Sequence, residues 1–145
     1  MATGQRKAKA QPVGKRAADS KKSTYARGHR LSGKKLEFLL KAEDETLRER
    51  AAGAASGRAA KTLAKEGRLR ALLVALNRGT VLKQHHTDGP VSIQCLRGNV
   101  VITVGDESTE LTSGGLLILA SKVQHEAKAL RDSSILITMS FLRGK

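Results

Sequence analysis

From Arg58 onward the chain is cut by glycine and polar breaks into nine short apolar-rich segments, none longer than eight residues. The segments are 59–65, 69–76, 80–84, 91–96, 100–104, 109–111, 116–120, 125–130 and 135–141. Lengths of this kind, rich in Val, Ile, Leu and Thr and bounded by turn residues, suit strands and leave no room for a helix. Nine short strands predict an all-β antiparallel sandwich or barrel. Arg97-Gly98-Asn99 and Gly105-Asp106 are read as hairpin turns, where a positive φ is needed, and Ser113-Gly114-Gly115 as a flexible corner. Aromatic residues make up only 2% of the chain, so the core of this domain, residues 57–145, depends on branched aliphatic packing.

The preceding segment has a different pattern. Leu36, Leu39, Leu40 and Leu47 recur at helical spacing, which predicts a short amphipathic helix over 36–52, with Glu43, Asp44, Arg48 and Glu49 off its apolar face. Glu45 and Glu49 stand one turn apart and are read as part of a charged outer face. AAGAASG, at 51–57, is read as a hinge. Helix and hinge together occupy 36–56.

Charge is concentrated at the N-terminus. The chain carries a formal net charge of +14, of which +10 lies in residues 1–36, where 11 Lys/Arg face the single acid Asp19. Residues 1–35 hold too few branched and aromatic side chains to offset the entropy of ordering, and are expected to be a disordered basic tail. Such an arm can bind nucleic acid or another polyanion by releasing condensed counterions, or can serve simply as a solvated extension. Its acid-poor composition is also similar to that of an organelle transit peptide, but Lys outnumbers Arg and a helical stripe is lacking. The longest apolar run is six residues, Ala71 to Leu76, too short to cross a membrane. A soluble cytoplasmic protein is expected, and the single Cys95, which excludes an internal disulfide, agrees with a reducing compartment.

Two spacings stand out within the strand region, Gly79-x5-His85 and Gly114-x10-His125. Residues 79–98, GTVLKQHHTDGPVSIQCLRG, resemble the first cupin motif, G-x5-H-x-H-x3-E-x6-G. Residues 114–125, GGLLILASKVQH, are similar to the second, G-x5-P-x-G-x2-H. The resemblance implies a double-stranded β-helix, a cupin-type jelly-roll barrel, usually a homodimer with a pocket between its sheets. It places the first metal histidine at His85 and the last at His125. The second histidine falls on Thr87, the carboxylate on Val91, and the proline and glycine of the second motif on Ala120 and Lys122. A 3-His-1-carboxylate set holds Fe, Mn, Ni or Zn with open positions; here two of the four ligands are replaced.

Other side chains are candidates to replace them. His86 is expected to point away from His85 by strand alternation. Cys95 shares parity with His85, so a His85/Cys95/His125 zinc site is one reading and a small buried apolar Cys95 the other. Without a metal, His85 and His125 can hydrogen-bond a small polar or anionic ligand, with Gln94 and Thr87 as further ligand-binding candidates; the alternative is an internal polar cluster left from a metal site. Asp88 is read as a loop residue at the pocket mouth, with general acid/base work beside His85 as an alternative. Nucleophile elbow, phosphate loop, C-x-x-C pair and dinucleotide fingerprint are all lacking. The expected function is therefore a cupin-domain ligand-binding or regulatory module, not an enzyme, without a cofactor. The alternatives are a metal-dependent oxygenase or isomerase with unconventional ligands and a polyanion-binding tail on a dimeric barrel.

Overall fold

The structure, a computed structural model, describes residues 29–141, with His85 described by its backbone only. Two compact units divide between Arg30 and Leu31. Of the first, only His29 and Arg30 are described, so the expectation of a disordered basic arm falls mainly outside the described residues. The second takes in the last five residues of the expected tail, 31–35. Leu31 O accepts a 2.7 Å hydrogen bond from Lys65 N, and Gly33 N donates to Glu66 Oε1 at 2.8 Å.

This unit contains α1 (Leu40–Ala52) and nine strands: β1 (Arg58–Glu66), β2 (Leu69–Leu76), β3 (Val81–His85), β4 (Val91–Arg97), β5 (Asn99–Val104), β6 (Glu107–Thr112), β7 (Leu116–Leu119), β8 (His125–Ala129) and β9 (Ser133–Ser140). They form a five-stranded sheet, β1-β2-β9-β4-β7, and a four-stranded sheet, β3-β8-β5-β6. Every described pairing is antiparallel. The nine strands occur where the sequence predicts them, with ends displaced by no more than two residues.

Gly105-Asp106 does close a hairpin, since β5 pairs with β6. Arg97-Gly98-Asn99 does not, a correction to the sequence reading: β4 pairs with β7 and β9, whereas β5 pairs with β6 and β8. Gly98 therefore carries the chain from one sheet to the other, at φ 90°, and an added Cβ would run into Asp132 O and Ser133 Oγ. Glycine is required there both by the backbone region and by the space.

Strand alternation sends Val91, Ile93 and Cys95 of β4 into the interior between the sheets, with Val74, Val100, Ile102, Ala127 and Ile135. The opposite face of the larger sheet is also buried. Leu63, Leu73 and Ala75 pack there against Leu47 and Ala51 of α1. Burial on both faces explains why β2 is nearly continuously apolar rather than alternating. A fully buried leucine such as Leu47, at 0% exposure, contributes roughly 1.5–3 kcal/mol, so α1 is an integral layer of the domain.

The helix begins at Leu40, later than the expected Leu36: Leu31 and Gly33 bond to the end of β1, and Leu39, ahead of the first turn, has extended backbone at φ −97° and ψ 100°. The buried line on α1 is Asp44, Leu47 and Ala51, with Leu40 half-buried one turn earlier, whereas Leu39 is 76% exposed. The stretch read as a hinge is a tied loop. Asn77 Nδ2 donates to Ala51 O at 2.9 Å, and Thr80 Oγ1 to Gly57 O at 3.2 Å. No helix among the described residues is long and apolar enough to cross a membrane.

Candidate functional site

The backbone brings the two motif histidines together. His85 and His125 are register partners at the ends of β3 and β8, after a bulge in β3 that follows the Leu82–Ala127 pair. His125 is 3% exposed and shares its strand face with Ala127 and Ala129, both in the interior cluster. Its Nδ1 lies 3.1 Å from Val123 O. A carbonyl only accepts, so Nδ1 carries the hydrogen, and Nε2 is the atom whose protonation sets the charge of the ring.

The loop before His125 places a left-handed residue where the second motif has glycine. Lys122, at the motif glycine position, has φ 65°, and it is the non-glycine residue with positive φ among those described. Its N–H donates to Thr87 O at 2.8 Å. This bond ties the segment that follows β3 to the one that precedes β8, and so ties together the two chain segments next to the histidines.

Of the remaining candidates, Gln94 and Cys95 lie away from this pair. Thr87 Oγ1 donates to Gly89 O at 2.7 Å, so the hydroxyl serves its own loop. Val91 is 2% exposed and packs in the interior cluster, and an alkyl group at the carboxylate position offers no lone pair. Gln94 requires a correction: it is the register partner of Leu136, which packs in the cluster under α1, while its neighbours Ile93 and Cys95 point inward. It therefore occupies the outer face of the larger sheet. His86 and Asp88 are exposed in the loop between β3 and β4.

Cys95 does point inward, at 0% exposure, but at the other end of the interior. Its backbone bonds Gly114 and Gly115 just beyond β6, where Thr112 pairs with Asn99 and Val100 with Ala129. His125 is four residues along β8 from Ala129, roughly 13 Å at the usual strand rise. The His85/Cys95/His125 zinc site is thus overturned by distance. No group of three or more His, Cys, Asp or Glu among the described residues could hold a metal ion. Thr87 and Val91 stand at the positions where the resemblance places the second histidine and the carboxylate.

A cavity of about 400 Å³ opens between the sheets at the β1 and β3 edges. Leu72, Val74, Ile137 and Leu82 form its apolar wall, and Arg58 and Lys83 bring positive charge. His125 does not line it, but the His85–His125 pair is the next described pair along β3 and β8 after Leu82–Ala127.

A second polar centre was not visible in the sequence. Asp44 of α1, 5% exposed, accepts from Arg97 Nε at 2.8 Å, from Arg97 Nη2 at 3.4 Å and from the Ser134 hydroxyl. Arg97 Nη1 continues to Asp132 O at 3.1 Å. Burial pushes the Asp44 carboxyl upward, but the hydrogen bonds from Arg97 and Ser134 and the charges of Arg97 and Arg48 outweigh it, leaving the group below the usual aspartate range. One signal was available: Asp44 lies at the i+4 place in the Leu40-Leu47-Ala51 stripe, where a core residue is expected.

No protein-family profile and no curated protein sequence matches the chain. Its backbone is similar to solved structures. A cupin superfamily protein from Desulfitobacterium hafniense aligns with a TM-score of 0.56 at 19% identity, over 58% of this chain and 77% of that one. KdgF from a Halomonas species aligns at 0.54 and 25% identity, over 59% and 80%. Salicylate 1,2-dioxygenase from Pseudaminobacter salicylatoxidans aligns at 0.61 and 17% identity, over 71% of this chain but 34% of the dioxygenase. With the strand order, the glycine-to-histidine spacings and the His85–His125 pairing already in place, the chain has the cupin-superfamily fold.

Proposed function

We propose that the barrel is a non-catalytic module that holds a small polar or anionic ligand beside the His85–His125 pair. Val91 carries this reading: the position of the family's carboxylate is a core alkyl group at 2% exposure, so the arrangement retains two hydrogen-bonding rings and loses the ligand that would complete a metal set. Arg58 and Lys83 on the neighbouring cavity wall favour an anion over a cation. The test is metal analysis of protein purified without an affinity tag, together with the variant His85→Ala/His125→Ala. Substoichiometric metal in both is expected. Near-stoichiometric metal that disappears in the double variant would overturn the reading and favour a metal-dependent enzyme.

The metal reading has one observation behind it. An Nδ1–H bond to a backbone carbonyl, as His125 makes with Val123, is the contact that orients metal-binding imidazoles. We further propose a homodimer and a polyanion-binding role for residues 1–36. The exposed outer residues of edge strand β7, Leu116 at 56% and Ile118 at 67%, support the first, and the net charge of +10 the second. Sedimentation equilibrium tests the dimer. Polyanion binding should weaken with a log–log salt slope of roughly −0.9 per phosphate neutralised and vanish on deletion of residues 1–36.

A further inference from the structure

The face of α1 that carries Leu40, Lys41, Asp44 and Arg48 borders a second cavity, about 530 Å³, completed by the β4–β5 crossover at Leu96, Arg97 and Gly98 and by Ser113. It lies on the helix-covered side of the larger sheet, away from the barrel interior. Its size falls within the range of small-molecule sites, roughly 300–1,000 Å³.

Two features define what this groove suits. Leu40 and Leu96, both half-buried against the cluster under α1, supply apolar surface. Around them stand three cations, Lys41, Arg48 and Arg97, and one carboxylate. Asp44 is committed to Arg97 through two hydrogen bonds, and Arg48 Nη2 lies 3.7 Å from the same carboxylate while its side chain stays 49% exposed. One negative charge thus answers three positive ones. Lys41 and Arg48 are seven residues apart, two helical turns, so both charges border the same recess. A positive rim around an apolar recess concentrates anions at its mouth.

We infer that this groove binds a small organic anion with an apolar body, a carboxylate on an alkyl chain or aryl ring, whose head meets Lys41 and Arg48 and whose body covers Leu40 and Leu96. The site is independent of the barrel ligand proposed above. Octanoate is the probe, titrated into the isotope-labelled full chain while backbone amide shifts are followed. Saturable shifts are expected at 40–48, 96–98 and 113. The variant Lys41→Glu/Arg48→Glu changes two exposed side chains and should weaken binding about tenfold, the order expected for reversing two exposed charges. Lys128→Glu, at an exposed position of β8 that borders neither cavity, should leave it unchanged, and 1-octanol should bind more weakly than octanoate. Shifts confined to the barrel cavity, no saturation, equal binding by the charge-reversed variant in its folded state, or equal binding of octanol would each overturn the inference.

Discussion

Asp44→Ala tests whether the helix is latched to the barrel by charge. The substitution removes the acceptor of the 2.8 Å and 3.4 Å bonds from Arg97 and of the Ser134 hydroxyl bond. Arg97 then keeps Asp132 O and Ser134 Oγ but loses its counter-ion. Breaking a buried pair by removing one partner costs about 3–5 kcal/mol. The Arg97 side chain is 25% exposed, so water recovers part of its solvation, and about 2–3 kcal/mol is expected. At 4–8 °C per kcal/mol for a small domain, this lowers Tm by on the order of 10–20 °C. Urea denaturation of Asp44→Ala, Arg97→Met and the double variant should give a coupling above about 1 kcal/mol, because removing both partners leaves no stranded charge. The pH dependence follows from the lowered Asp44 pKa. The contribution is complete above the unfolded aspartate value of about 3.9 and is lost as pH falls through the lower folded value; Asp44→Asn removes that loss. A single-variant cost under about 0.5 kcal/mol, or additivity in the cycle, would refute the latch.

Lys122→Gly should stabilise the domain by about 0.5–1 kcal/mol in thermal unfolding, the relief of a left-handed residue at φ 65° exceeding glycine's added unfolded entropy; a loss would show that its side chain is needed. Gly98→Ala should cost about 2–4 kcal/mol, because φ is 90° and the new Cβ meets Asp132 O and Ser133 Oγ, and a cost below about 1 kcal/mol by urea melt would argue against the crossover geometry. Burial pushes the Cys95 thiol up, so iodoacetamide should label it in urea and hardly at all in the native state at pH 8. The same shift contributes stability that is full below the unfolded thiol pKa and lost as pH rises through the folded one. Fast native labelling would contradict the placement of Cys95.

The strands were legible because their limits are local. Glycines and polar pairs interrupt runs of branched residues at each end, and nothing distant is needed to end β2 at Leu76 or begin β8 at His125. The start of α1 was not legible, since the leucines at 36 and 39 have helical spacing but lie ahead of the helix, in a segment whose Leu31 and Gly33 bond to Lys65 and Glu66. Gln94 shows a subtler limit. Both faces of β4 are lined with apolar residues, Ile93 and Cys95 on one and Leu96 on the other. A sheet covered on both sides carries no sequence mark of which side is the barrel interior.

The sequence by itself determined the all-β class, the nine strands and the glycine-to-histidine spacings, because turn sterics and side-chain alternation act over a few residues. Tertiary structure alone decided that Cys95 and His125 lie at opposite ends of the interior, that Gly98 changes sheets, and that Asp44 meets Arg97 across 53 residues. Each of these depends on strand pairing between distant segments, and an acid that reads locally as solvent-facing can be buried only where the fold delivers its counter-ion.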